Sequence, residues 1–77
     1  MRIEVLGDGC RNCQMLEANV RAAVAESGLK AQLQVSADPA LLAGYGLLRL
    51  PGLAIDGRLV ASGKVLTVAQ VAALLPV

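Results

Sequence analysis

The sequence predicts an α/β fold in the order βαβαββα, a four-stranded mixed sheet with helices on both faces. Three observations carry that prediction. Residues 2–6 and 31–36 both alternate in polarity at the two-residue period of a strand. A helical pattern from about Arg11 to Ser27 joins them, so the two strands should be parallel with a right-handed crossover. Asp56-Gly57 separates two short apolar runs as a hairpin turn does, and a last helical stripe follows.

Each element has a local reason. Arg2 to Leu6 reads as a strand, and Gly7-Asp8-Gly9 as the turn that ends it. In the first helix Cys13, Leu16, Val20, Ala23 and Val24 recur at three- and four-residue spacing and mark the buried face. Glu17 and Arg21 form an i,i+4 pair on the other face, and Gly28 is placed to end the helix. Ala31 to Ser36 sets Ala31, Leu33 and Val35 against Gln32, Gln34 and Ser36, which suits an edge strand. Asp38 as N-cap and Pro39 at the first helical position open a short helix to about Ala43, broken by Gly44-Tyr45-Gly46. Leu47 to Leu50 leads into Pro51-Gly52, the hairpin Leu53–Ile55 and Arg58–Ala61, and the loop Ser62-Gly63-Lys64. Thr67 caps a final helix with Val68, Val71, Ala72 and Leu75 as its apolar stripe, and Pro76 stops it. No repeat, linker or low-complexity stretch interrupts residues 1–77, which read as one domain.

Composition narrows the function classes. A chain of 77 residues hides only about 60% of its unfolded surface, so its core is thin. The apolar share of 56% is nearly all Ala, Val, Leu and Ile, and Tyr45 is the single aromatic residue. Seven basic and six acidic residues are spread along the chain, without the basic patch or stacking platform that nucleic acid requires. No apolar run approaches the roughly 20 residues of a membrane span, and the N-terminus puts a charge among its apolar residues. The expectation is a cytoplasmic protein that binds neither nucleic acid nor membrane.

The chemistry concentrates in Gly7-Asp8-Gly9-Cys10-Arg11-Asn12-Cys13, which holds both cysteines with two residues between them. As a structural staple so short a loop contributes only about 2 kcal/mol. A purely structural bond would also not persist in a reducing cytoplasm. Structural zinc needs four ligands, and without His or a third Cys one chain cannot supply an all-soft site. A two-thiolate Cu(I) site, or a metal shared across a dimer, stays open. The glycines do not form a dinucleotide fingerprint either, because Asn12 stands where the third would be.

Redox chemistry has a physical rationale. The thiolate is the nucleophile, and an ordinary thiol with a pKa of roughly 8.5 is only slightly ionised at neutral pH. Cys10 falls at the start of a helix, where unpaired amides and the helix dipole favour an anion. Cys13 follows one turn later, toward the core, in reach of a mixed disulfide on Cys10. Arg11 favours the thiolate and Asp8 opposes it. Leu50-Pro51 is the second feature. Read alone, the proline is a chain break, but it directly precedes the strand that should lie beside the first one.

With these residues in place, the chain resembles the short, archaeal-type glutaredoxin-like thioredoxins over essentially its whole length. The likeness rests on the opening strand, G-D-G-C-R-N-C-Q-M-L-E, the segment L-P-G-L-A-I-D-G and the closing helix. It implies a thioredoxin-like fold and a thiol-disulfide oxidoreductase with nucleophilic Cys10, resolving Cys13 and no cofactor beyond that pair. It implies a cis Pro51, with Leu50 offering backbone hydrogen bonds to a bound peptide and Gly63 bordering the groove. Partners would be protein disulfides and a thioredoxin-reductase-like electron donor, with the protein a monomer. The sequence departs from typical thioredoxins in lacking their extra N-terminal strand and helix. Gly9 replaces the tryptophan before the motif, and Arg11-Asn12 replaces Gly-Pro between the cysteines, where redox poise is tuned. By resemblance Glu4 approximates the buried acid that assists the resolving cysteine; its plain reading is a solvated strand charge. Tyr45 reads as a partly buried cap over the core rather than a docking contact. The runner-up function is a small soft-metal carrier of the Cu(I) type. Such carriers also place a CxxC after the first strand, but their second half runs strand, helix, strand, whereas here a hairpin precedes the terminal helix; they also tend to carry Met near the first cysteine, and the residue before Cys10 is Gly9.

Overall fold

The computed structural model describes residues 1–46 and 49–75. The expected lead-in at Leu47 and Leu48 and the helix stop at Pro76 lie outside the described residues. The elements are β1 (Arg2–Leu6), α1 (Arg11–Ser27), β2 (Gln32–Ser36), α2 (Pro39–Gly44), β3 (Gly52–Ile55), β4 (Arg58–Ser62) and α3 (Val68–Leu74). They form a mixed four-stranded sheet in the order β2-β1-β3-β4. The β1/β2 pair is parallel, as a helical crossover requires, while β1/β3 and β3/β4 are antiparallel. Asp56 and Gly57 turn the hairpin with φ of 51° and 83°, the paired positive φ of a two-residue type I′ turn.

The core lies on one face of the sheet. Ile3 and Val5 of β1 and Leu53 of β3 pack against Leu16, Val20 and Ala23 of α1 and against Val71 and Leu75 at α3. Burying each of the Val, Leu and Ile side chains is worth about 1.5–3 kcal/mol. Placement of α3 also relies on polar contacts. Asn19 Nδ2 donates to the Leu66 carbonyl at 2.8 Å, which fixes the approach to the helix. Thr67 and Gln70 close a reciprocal capping box at its start. The Glu17–Arg21 pair forms on the outer face of α1, at 2.8 Å. Asp38 caps α2 by accepting the Ala40 N–H at 3.0 Å.

The opposite face of the sheet corrects one sequence reading. Central β1 is buried on both sides, so Glu4 is 5% exposed and not a solvated charge. Its Oε1 accepts the Tyr45 hydroxyl at 2.8 Å and lies 3.3 Å from Arg2 Nε. Tyr45 caps the C-terminus of α2 and is half-buried, so that segment covers the face pointing away from α1 and α3. At the sheet edge Val35 stays 47% exposed. Among the described residues, no helix is long and apolar enough to cross a membrane.

Candidate active site at the β1–α1 junction

Strand β1 ends at Leu6 and α1 begins at Arg11, leaving Gly7 to Cys10 to turn the chain. Cys10 is the N-cap of α1, with extended backbone (φ −63°, ψ 164°). Its Sγ takes the place that a Ser or Asp oxygen usually holds, accepting the Cys13 N–H at 3.1 Å. The Cys10 carbonyl accepts the Gln14 N–H at 2.9 Å and starts the helical ladder. No acidic residue lies in the first turn of α1 itself. Arg11 and Asn12 follow, both exposed.

The two sulfurs are joined as a disulfide, with the α-carbons 5.0 Å apart. They differ in access: Cys13 is 3% exposed, whereas Cys10 is only half-buried. Gly7 explains how Cys13 fits. A β-carbon added there would overlap Cys13 Sγ and sit 2.9 Å from its Cβ, so only glycine leaves room for the sulfur under the end of β1.

Asp8 is exposed, yet its carboxylate turns back toward the sulfurs. Oδ1 accepts the Cys10 N–H at 3.2 Å and lies 4.0 Å from Cys13 Sγ. Glu4, which resemblance offered as the acid assisting the resolving cysteine, is buried and held by Tyr45 and Arg2. The Tyr45 phenol is pushed above its ordinary range, chiefly because it donates to that carboxylate. A carboxylate oxygen of Asp8 and the two sulfurs lie within 4.8 Å of one another. Joined as they are, the sulfurs present no thiolate pair to a metal.

Register across the sheet brings the remaining candidates to the same end. Leu6 pairs with Gly52, and Gly52 with Ser62, so Gly7, Pro51 and Gly63 each follow or precede one of three adjacent strand ends. At about 4.8 Å between strands, those ends span roughly 10 Å. The Leu50–Pro51 peptide bond is cis. Pro51 is buried, Leu50 is 37% exposed, and the Pro51 carbonyl accepts the Gly63 N–H at 2.8 Å. Gly63 also lies against the stem of Arg49, whose Cβ would be 2.9 Å from an added β-carbon. Sequence reasoning did not single out Arg49 or the space-making role of Gly7. The signal for Gly7 was a glycine at a strand end six residues before a core-facing cysteine; for Arg49 there was none before register was known. An open cavity of about 700 Å³, lined by Met1, Arg2, Lys30, Ala31, Gln32 and Asp56, lies at the other end of β1, away from the sulfurs.

Residues 1–76 match the family model described as a thioredoxin domain. A curated protein of Methanothermobacter thermautotrophicus named thioredoxin is 46% identical over 65 residues, covering 84% of either chain.

Proposed function

The chain belongs to the thioredoxin family and is a protein disulfide oxidoreductase, and on that premise we propose that Cys10 attacks partner disulfides and Cys13 resolves the product. The observation that carries this assignment is the asymmetry of the pair: Cys10 is half-buried at a helix cap, Cys13 only 3% exposed beneath it. A bulky disulfide reaches the first sulfur and not the second. In the dithiol form the Cys10 thiolate is favoured by the helix amides and dipole. It forms a bond to one substrate sulfur and expels the other as a thiolate. Cys13 then attacks Cys10, closes the intramolecular disulfide and releases the partner as its dithiol. The redox group is the cysteine pair itself, with no added cofactor.

Leu50 supplies backbone groups to the substrate chain, and Pro51 and Gly63 border it. The hydrogen bond joining Pro51 to Gly63 supports a shared rim. Arg11, Asn12 and Asp8 tune the poise of the pair. Electrons come from a thioredoxin-reductase-like donor, and the protein, one domain over residues 1–77, works as a cytoplasmic monomer.

Cysteine variants test the assignment. Cys13→Ser traps mixed disulfides with partner proteins, and Cys10→Ser traps none. Trapping by Cys10→Ser and not by Cys13→Ser overturns the order of attack. Tight Cu(I) binding by the reduced protein, without any disulfide exchange, supports the soft-metal carrier instead.

A further inference from the structure

We propose that Asp8 is the proton acceptor for Cys13 when the mixed disulfide is resolved; this rests on the exchange reading above and assigns one of its steps. Four observations converge. Oδ1 lies 4.0 Å from Cys13 Sγ in the disulfide, where that sulfur carries no hydrogen; in the dithiol the same sulfur bears the proton that must leave. The Cys10 N–H, 3.2 Å away, holds that oxygen in place. Cys13 is 3% exposed and wedged against Gly7, so water has little access to its thiol, whereas Asp8 is exposed and bridges the sulfur to solvent. The buried acid of β1, Glu4, already accepts the Tyr45 hydroxyl and faces Arg2.

The Cys13 S–H proton passes to the Asp8 carboxylate as the Cys13 sulfur attacks the Cys10 sulfur. The Cys10–Cys13 bond forms and the Cys10–substrate bond breaks. The substrate sulfur leaves as a thiolate with the electron pair, and Asp8 releases its proton to solvent. The substrate disulfide is reduced by two electrons and the cysteine pair is oxidised by two. In the reverse direction the Asp8 carboxyl returns the proton to Cys13 as it is expelled.

The test is Asp8→Asn on the full chain. The amide oxygen still accepts the Cys10 N–H, but the side chain no longer takes up a proton. An aromatic disulfide that releases a coloured thiolate serves as oxidant in stopped flow at pH 7. The first phase reports attack by Cys10, assigned with Cys13→Ser, which shows that phase alone. The second reports resolution by Cys13. General-base assistance is typically worth about 10²–10⁴-fold; for an exposed carboxylate the expected loss in Asp8→Asn is at least about tenfold in the second phase. The first phase is unchanged or faster, since a negative charge beside Cys10 has gone. Acceleration of both phases shows that Asp8 acts only as a charge and overturns the proposal, as does a second phase equal to wild type. If wild type releases only one equivalent of the coloured thiolate, resolution does not occur, and the exchange reading fails, and this role with it.

Discussion

Replacing Gly7 with alanine adds one carbon where the fold leaves no room. The new β-carbon would overlap Cys13 Sγ and lie 2.9 Å from Cys13 Cβ, against the 3.5–4.0 Å of an ordinary carbon contact. The backbone at Gly7 cannot retreat freely, because its N–H donates to the Ser36 carbonyl at 2.9 Å and the residue is buried. The first helical turn, with its disulfide, must move instead. Overpacking of this kind costs about 1–3 kcal/mol. In a domain of this size each kcal/mol moves Tm by about 4–8 °C, so a central loss of about 2 kcal/mol lowers Tm by about 8–16 °C. Gly44→Ala is the matched control. It sits at the last position of α2, has nothing within 4 Å of an added carbon and is not among the glycines of positive φ, so it should stabilise by about 0.5 kcal/mol. Thermal unfolding followed by circular dichroism, on oxidised and reduced protein, measures both. A Gly7→Ala protein as stable as Gly44→Ala would refute the close packing of Cys13 under β1.

Two further outcomes follow from contacts outside the cysteine pair. The Tyr45 phenol, raised by its bond to Glu4, should titrate above the ordinary tyrosine value of about 10, and Glu4→Gln should lower its midpoint in ultraviolet absorbance. Because the folded value is the higher one, the bond stabilises fully below about pH 10, and that contribution is lost as pH rises through the folded value. An unshifted midpoint in wild type refutes the contact. Thr67→Ala removes the hydroxyl that accepts the Gln70 N–H at 3.1 Å and should cost about 1 kcal/mol, whereas Thr67→Ser should restore the cap; equal Tm values for the two variants would show that the box does not hold α3.

How much was legible depended on how far apart in the chain the determining residues lie. The bounds of β1 and α1, the N-cap roles of Asp38 and Thr67 and the Asp56-Gly57 turn could all be read from residues within one or two turns of each other. Backbone dihedrals and hydrophobic periodicity are local, and each of these elements obeys its local rule. The CxxC at a strand-to-helix junction was legible for the same reason. The state of Glu4 was not, since a charge between two apolar residues looks alike in an edge strand and a central one. Only the order β2-β1-β3-β4, with Tyr45 folded over the second face, buries it.

The sequence by itself therefore determined the order of elements and the placing of Cys10 at a helix start with Cys13 one turn on toward the core, and it favoured dithiol chemistry over a soft-metal site. The tertiary structure decided where Glu4 is held, by a phenol 41 residues along the chain, whereas a local turn onto the Cys10 N–H keeps Asp8 beside the sulfurs. It also decided that Pro51 and Gly63 meet, through register across three strands. Contacts of that kind are set by long-range packing, and no local pattern of residues encodes them.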